Sequence, residues 1–220
     1  MAGLLSGDIL PAQVIYQGKT DKCHLRYNFP SDWHITHTDN HWANTRTSIQ
    51  YIEKLIVPYV MNIRVKLDLP LGQKALMILY FFSAQLEEHF RQLMISKNLI
   101  YVYVPANCTS KLQPMDLSVQ KCVKECMRNS FADHYAELVA KSLETKTELN
   151  VDLGMTTVKP LSAKWLVSAI DYLKARPYIV YNGFKAAEIA ECLQFDLQTD
   201  ATATSTCDSD SDLSIYTVSF

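Results

Sequence analysis

The sequence carries no excess of positive charge: 21 Lys and Arg stand against 23 Asp and Glu, a formal net charge of −2. No global basic field announces nucleic acid, so any DNA contact has to come from a local patch. Long apolar runs are missing too. The longest, Ala75 to Phe82, is far too short to span a bilayer, and no membrane partner is expected. The start, Met1-Ala2-Gly3-Leu4-Leu5, lacks the charged and apolar regions of a secretory signal. No Lys/Arg cluster marks nuclear import. A disulfide framework is absent as well: Cys23, Cys108, Cys122, Cys126, Cys192 and Cys207 are scattered, and a chain this long needs no staples. They read as reduced thiols of an intracellular protein. There is no Gly-rich phosphate loop, GxSxG elbow or HExxH pair, and no small-molecule substrate is expected. No internal repeat is visible.

What remains is a composition that is 48% hydrophobic and 20% charged, ordinary for a chain that buries a core. Ile9 to Gln17 reads as a strand stopped by Gly18, with Pro11 at its start or on an edge. Residues 18–44 are polar and aromatic without periodicity and read as a long loop, functional or ordered by its own packing. Thr45 to about Tyr59 reads as a helix with Ile49, Ile52, Leu55 and Ile56 on one face. Asn44, Thr45 or Thr47 would cap it and Pro58 would end or kink it.

Ala75 to Phe82 suits a strand buried on both faces. Helical periodicity runs from Leu86 to about Lys97, and Leu99 to Val104 is a further strand. Strand, helix, strand predicts a βαβ unit with parallel neighbours. Leu117 to about Leu143, Leu161 to about Ala175 and Ala186 to Leu193 read as helices. From Gln198 onward Ser, Thr and Asp dominate and no Lys or Arg occurs, the composition of a disordered tail. The expected organisation is one domain over 1–195 and an acidic tail over 196–220.

The most informative stretch runs from Val104-Pro105-Ala106-Asn107-Cys108-Thr109 to Leu112-Gln113-Pro114-Met115-Asp116-Leu117-Ser118-Val119. It follows a strand and precedes a helix, and Asp116 stands at the junction. Metal-dependent phosphoryl-transfer enzymes often place a ligand there. This run resembles the signature of the DDE superfamily endonucleases, the transposase and transposase-derived proteins of the pogo/Tigger type. The likeness covers about residues 7–190. It includes Leu10-Pro11-Ala12-Gln13-Val14-Ile15-Tyr16-Gln17-Gly18-Lys19-Thr20, Asp32-Trp33-His34-Ile35-Thr36-His37, His41-Trp42, Ile56-Val57-Pro58-Tyr59-Val60 and Lys159-Pro160-Leu161-Ser162-Ala163-Lys164-Trp165. Each piece alone is weak; the combination is specific.

The resemblance implies an α/β fold, an RNase H-like mixed sheet flanked by helices, here lacking its first strands. It also implies Mg²⁺ as the ancestral cofactor, clamped by carboxylates from separate strands. Asp116 fills the third carboxylate place; on physics alone the favoured reading is a helix N-cap, and with Tyr80 opposite, it reads as a cap rather than a ligand. The second place, within Ala75 to Gln85, is Tyr80, and the family's glycine position is Ala84. A phenol with an intrinsic pKa of about 10 is neutral and supplies no anionic oxygen. The first place has no counterpart here: Asp8 precedes the Leu10–Thr20 segment without matching the family's motif, and the family's DNA-binding helix-turn-helix is absent. The resemblance thus implies a pseudoenzyme with no cofactor, Asp116 being the metal ligand if there is any. It also implies a nuclear location and possible DNA binding.

Other constellations are weaker. Lys111, Lys121, Lys124 and Arg128 make a basic stripe that could face phosphates; Glu125 and Asp133 support the alternative of a solvated helix face. His34, His37 and His41 are spaced like metal ligands, with Cys23 and His24 nearby. Zinc needs about four ligands in tetrahedral reach; no CxxC partner is present, and Trp33 and Trp42 point to a packed loop with ordinary histidines. Cys122 and Cys126 share a helix face at i, i+4, a spacing that suits apolar packing. Asp208, Ser209, Asp210, Ser211 and Asp212 suit acid-directed kinases, against a simpler role as a solubilising tail.

The expected function is that of an inactive transposase-derived domain with residual nucleic-acid binding. The alternatives are a protein-interaction module using an exposed sheet edge, a gene fragment that never folds stably, or, furthest down, a metal-dependent DNA endonuclease.

Overall fold

A computed structural model describes residues 1–80, 85–149 and 151–197. The expected acidic tail beyond Leu197 lies outside the described residues, as do Phe81, Phe82 and Ala84. Within them the chain is mixed α/β. Strands β1 (Gln13–Gln17) and β2 (His34–Thr38) pair in parallel, Gln13 opposite His34 and Gln17 opposite Thr38. Strands β3 (Ala75–Tyr80) and β4 (Leu99–Val104) form a second parallel pair. Among the described residues these are two separate two-stranded sheets rather than one mixed sheet.

The βαβ expectation holds. Helix α3 (Glu88–Ser96) links β3 to β4, and the register runs from Ala75 opposite Leu99 to Tyr80 opposite Val104. The expectation that β3 is buried on both faces does not hold. Met77 and Leu79 are buried, whereas Leu76 is 53% exposed, and on β4 Ile100 and Val102 are 45% and 53% exposed. One face of this sheet is packed and the other is open.

The reading of 18–44 as a continuous loop is also corrected. A one-turn 3₁₀ segment, Asp21–Cys23, and strand β2 both lie inside it. β2 is five residues, His34-Ile35-Thr36-His37-Thr38, with Ile35 its one apolar residue, so its signal is too brief for a periodicity count. At the other end, β1 begins only at Gln13, because Ile9 makes an isolated antiparallel bridge to Gly3.

Helix α1 (Thr45–Tyr51) opens with a reciprocal cap. Asn44 Oδ1 accepts from the Thr47 N–H at 3.0 Å, and Thr47 Oγ1 accepts from the Asn44 N–H at 2.9 Å, satisfying donors that a helix start leaves open. Pro58 does not end the helix. A π-helical turn, Ile52–Ile56, precedes α2 (Val57–Lys66), and the Val57 N–H bonds the Ile52 carbonyl. The wide turn places Pro58 in the first turn of the next segment, where its missing N–H costs little.

After β4 comes a single-turn α4 (Thr109–Leu112), then a second π-helical turn, Met115–Val119, leading into the 26-residue α5 (Gln120–Thr145). Helix α6 (Met155–Lys174) starts before the expected Leu161 and carries Pro160 inside it. Helix α7 (Pro177–Lys185), begun by Pro177, was not expected; α8 (Ile189–Leu193) was.

Two apolar clusters hold these elements. Tyr51, Ile52, Leu55 and Ile56 pack with Met77, Leu79, Phe90, Met94 and Leu99, joining α1, its π turn and α3 to the covered face of β3–β4. Met115, Val119, Val123, Ile170, Leu173, Val180 and Phe184 join the second π turn to α5, α6 and α7. The N-terminal segment enters both, Ala2 and Leu10 in the first and Leu5, Ile9 and Ala12 in the second. Each fully buried large side chain contributes roughly 1.5–3 kcal/mol, so residues 2–12 tie the two clusters together.

Candidate functional site

Tyr80 lies at the carboxyl end of β3, and Asp116 lies in the turn between α4 and α5. Tyr80 is the last residue of β3, opposite Val104 at the end of β4, and is 38% exposed. Asp116 is the second residue of the Met115–Val119 turn. It is not the N-cap: Pro114 precedes the turn, and no side chain caps it. The Asp116 N–H bonds the Gln113 carbonyl at 3.0 Å. Burial pushes the half-buried Asp116 carboxyl above its ordinary value, and the Lys124 charge opposes that effect without cancelling it.

The turn is clamped from behind by α7. Ser118 Oγ donates to the Ile179 carbonyl. Gly183 lies so close to the Pro114 carbonyl that a Cβ there would overlap it. The absence of a side chain at Gly183 lets α7 support the backbone that carries Asp116.

A Mg²⁺ site needs several hard, anionic oxygens. Tyr80 offers a neutral phenol. Among the described residues, Asp116 belongs to no group of three potential ligands. The residues present do not fit the ancestral metal.

Lys111, Lys121, Lys124 and Arg128 are all exposed, and among the described residues none forms a salt bridge. Lys121, Lys124 and Arg128 recur at three- and four-residue spacing on α5, which puts them on neighbouring turns of one face. Cys122 and Cys126, on the same helix, pack against the second apolar cluster. Burial, with Cys126 beside it, pushes the Cys122 thiol up to about 12, a protonated, unreactive state that agrees with a packing role.

The five-residue Cys/His constellation is divided by the fold. Cys23, His24 and His37 converge, with one potential ligand atom from each within 4.8 Å of the others. His24 Nε2 and His37 Nδ1 are 3.0 Å apart. Asp21 Oδ1 lies 3.4 Å from His37 Nδ1 and 3.7 Å from His24 Nε2. His34 and His41 stand apart. His34 Nδ1 meets Gln13 Nε2 and its Nε2 meets Lys54 Nζ, both at 3.0 Å. Burial and the Lys54 and Arg46 charges hold His34 below its ordinary pKa. His41 stacks on Trp42. The pleat separates the set, since His34 and His37 are three residues apart on one strand and point to opposite faces.

Comparison with known proteins gives the class. The chain belongs to the DDE superfamily endonuclease family, whose model matches residues 4–167. A human protein described as a pogo transposable element with ZNF domain is 20% identical over 189 residues, a stretch that covers 86% of this chain. That stretch is 12% of the human protein, so the chain spans about an eighth of the relative it matches. No solved structure matches. Among the described residues, no helix is long and apolar enough to cross a membrane.

Proposed function

We propose that this is a transposase-derived, RNase H-like domain that no longer cuts DNA and binds nucleic acid through the basic face of α5. The observation that carries the reading is Tyr80. In the family resemblance it stands at the second carboxylate, and it lies at the carboxyl end of a parallel strand, where its phenol cannot replace an anionic ligand. Asp116 is half-buried, and burial raises its carboxyl above the ordinary value with Lys124 opposing. A nuclear location accompanies this reading.

Phosphate contact would come from Lys121, Lys124 and Arg128, with Lys111 beside the turn. Binding to duplex DNA is expected to weaken as salt rises. Replacing Lys121, Lys124 and Arg128 together by alanine is expected to flatten the log–log salt slope by about 3, roughly 0.9 for each phosphate neutralised. A slope unchanged in the triple variant, with binding retained, rules out α5 as the contact face.

A second reading rests on the open sheet. Leu76, Ile100 and Val102 leave an apolar face uncovered, and β3 pairs only with β4 among the described residues. Such a face and edge suit strand addition by a protein partner. A chain that ignores duplex DNA but self-associates at low and high salt alike supports this reading over the first.

A further inference from the structure

We propose that Cys23, His24, His37 and Asp21 form a zinc-type metal site, chemically unrelated to the ancestral magnesium site. The distances are those of a tetrahedron's edges. Two ligand nitrogens at about 2.0–2.1 Å from zinc stand roughly 3.3 Å apart, and a sulfur at about 2.3 Å stands roughly 3.6 Å from either. The His24–His37 separation is 3.0 Å, and the Cys23 sulfur lies within 4.8 Å of a ligand nitrogen of each; the exposed Asp21 carboxylate, 3.4 and 3.7 Å from those histidines but outside that converged trio, would swing in as the fourth ligand.

The surroundings are built around this cluster. Gly18 ends the β1 segment with φ +154°, and a Cβ there would lie 2.5 Å from Cys23 Cβ and 2.6 Å from its sulfur. Only glycine lets the Cys23 turn fold back so closely. From α6, Lys159 Nζ donates to the Cys23 carbonyl at 3.0 Å and sits over the Tyr16 ring. The His24 ring lies between Tyr16 and His37. Three elements therefore meet at these ligands: the 3₁₀ segment, β2, and α6 through Lys159.

The donor set decides the metal. One thiolate and two imidazoles select zinc and its neighbours over magnesium or calcium. Thiolate and Asp21 carboxylate together balance a divalent charge, and binding releases the Cys23 thiol proton. The ion would tie the segment between β1 and β2 to the sheet.

The test uses the full chain, stripped with a chelator and titrated with Co²⁺. One equivalent is expected to bind, with the intense visible absorption of tetrahedral cobalt and a near-ultraviolet thiolate-to-cobalt band, both removed by added Zn²⁺. Cys23→Ser is expected to abolish the thiolate band. His24→Asn, His37→Asn and Asp21→Asn should each weaken binding by more than about 10–100-fold, the loss typical of a merely supporting partner. His34→Asn, His41→Asn and Cys126→Ser should bind as the unaltered chain does. The proposal is overturned if the unaltered chain shows no saturable binding, an outcome that needs no variant to fold. It is equally overturned if a well-folded Cys23→Ser retains the band or if His34→Asn loses it. Neither DNA binding nor cleavage enters this readout, so it stands or falls separately from the proposed function.

Discussion

Tyr80, at the end of β3, and Asp116, in the turn leading into α5, carry opposite deficits. The first lacks a charge that a divalent metal requires, and the second is held where charge is disfavoured. Because burial raises the Asp116 pKa in the folded state, ionising it costs the fold. That cost is absent below the unfolded carboxylate value of about 3.9 and fully developed once pH passes the folded value. Asp116→Asn is therefore expected to raise the melting temperature slightly at pH 7, the effect being reduced by solvent screening at a half-exposed site. The gain should vanish near pH 3. A lowered melting temperature at pH 7 would mean that the carboxylate is held by a favourable partner. Asp116 and Tyr80 were legible in the sequence because a family signature frames them. The Cys23–His24–His37 cluster was only half legible. Its members were noticed, but sorting them needed the strand parity of His34 and His37, and that strand was read as loop.

At the level of elements, the sequence was most informative where apolar periodicity was strong. β4 has the expected bounds, and α3 and α5 lie within two or three residues of theirs. It misled at Pro58, which lies inside a helical stretch instead of ending it; Pro160 likewise lies inside α6, and Pro177 opens α7. The π turn before α2 absorbs the first of these, a device with no simple sequence pattern. Helix α7 was missed, and its most consequential residue is a glycine. Gly183→Ala would gain up to about 1 kcal/mol of helix propensity. It would also push a methyl group into the Pro114 carbonyl and the Ser118 side chain. Overpacking typically costs about 1–3 kcal/mol, so a net loss of stability is expected in urea denaturation. An unchanged or raised midpoint would show that α7 can move away from the Asp116 turn without cost.

Across the whole molecule, family membership, the α/β class and the parallel βαβ unit agree, while among the described residues the arrangement into two small sheets departs from the single sheet that the resemblance implies. β3–β4 lies under α1 and α3 in one apolar cluster, and the N-terminal segment bridges to the other. Such long-range organisation depends on contacts between residues far apart in sequence, which local periodicity does not encode. The most direct measurement of the central claim is nicking of supercoiled plasmid by the full chain in Mg²⁺ or Mn²⁺, beside Asp116→Ala. No nicking by either protein is the result expected. Divalent-dependent nicking by the unaltered chain that disappears in Asp116→Ala would contradict the loss of catalysis and return Asp116 to a metal.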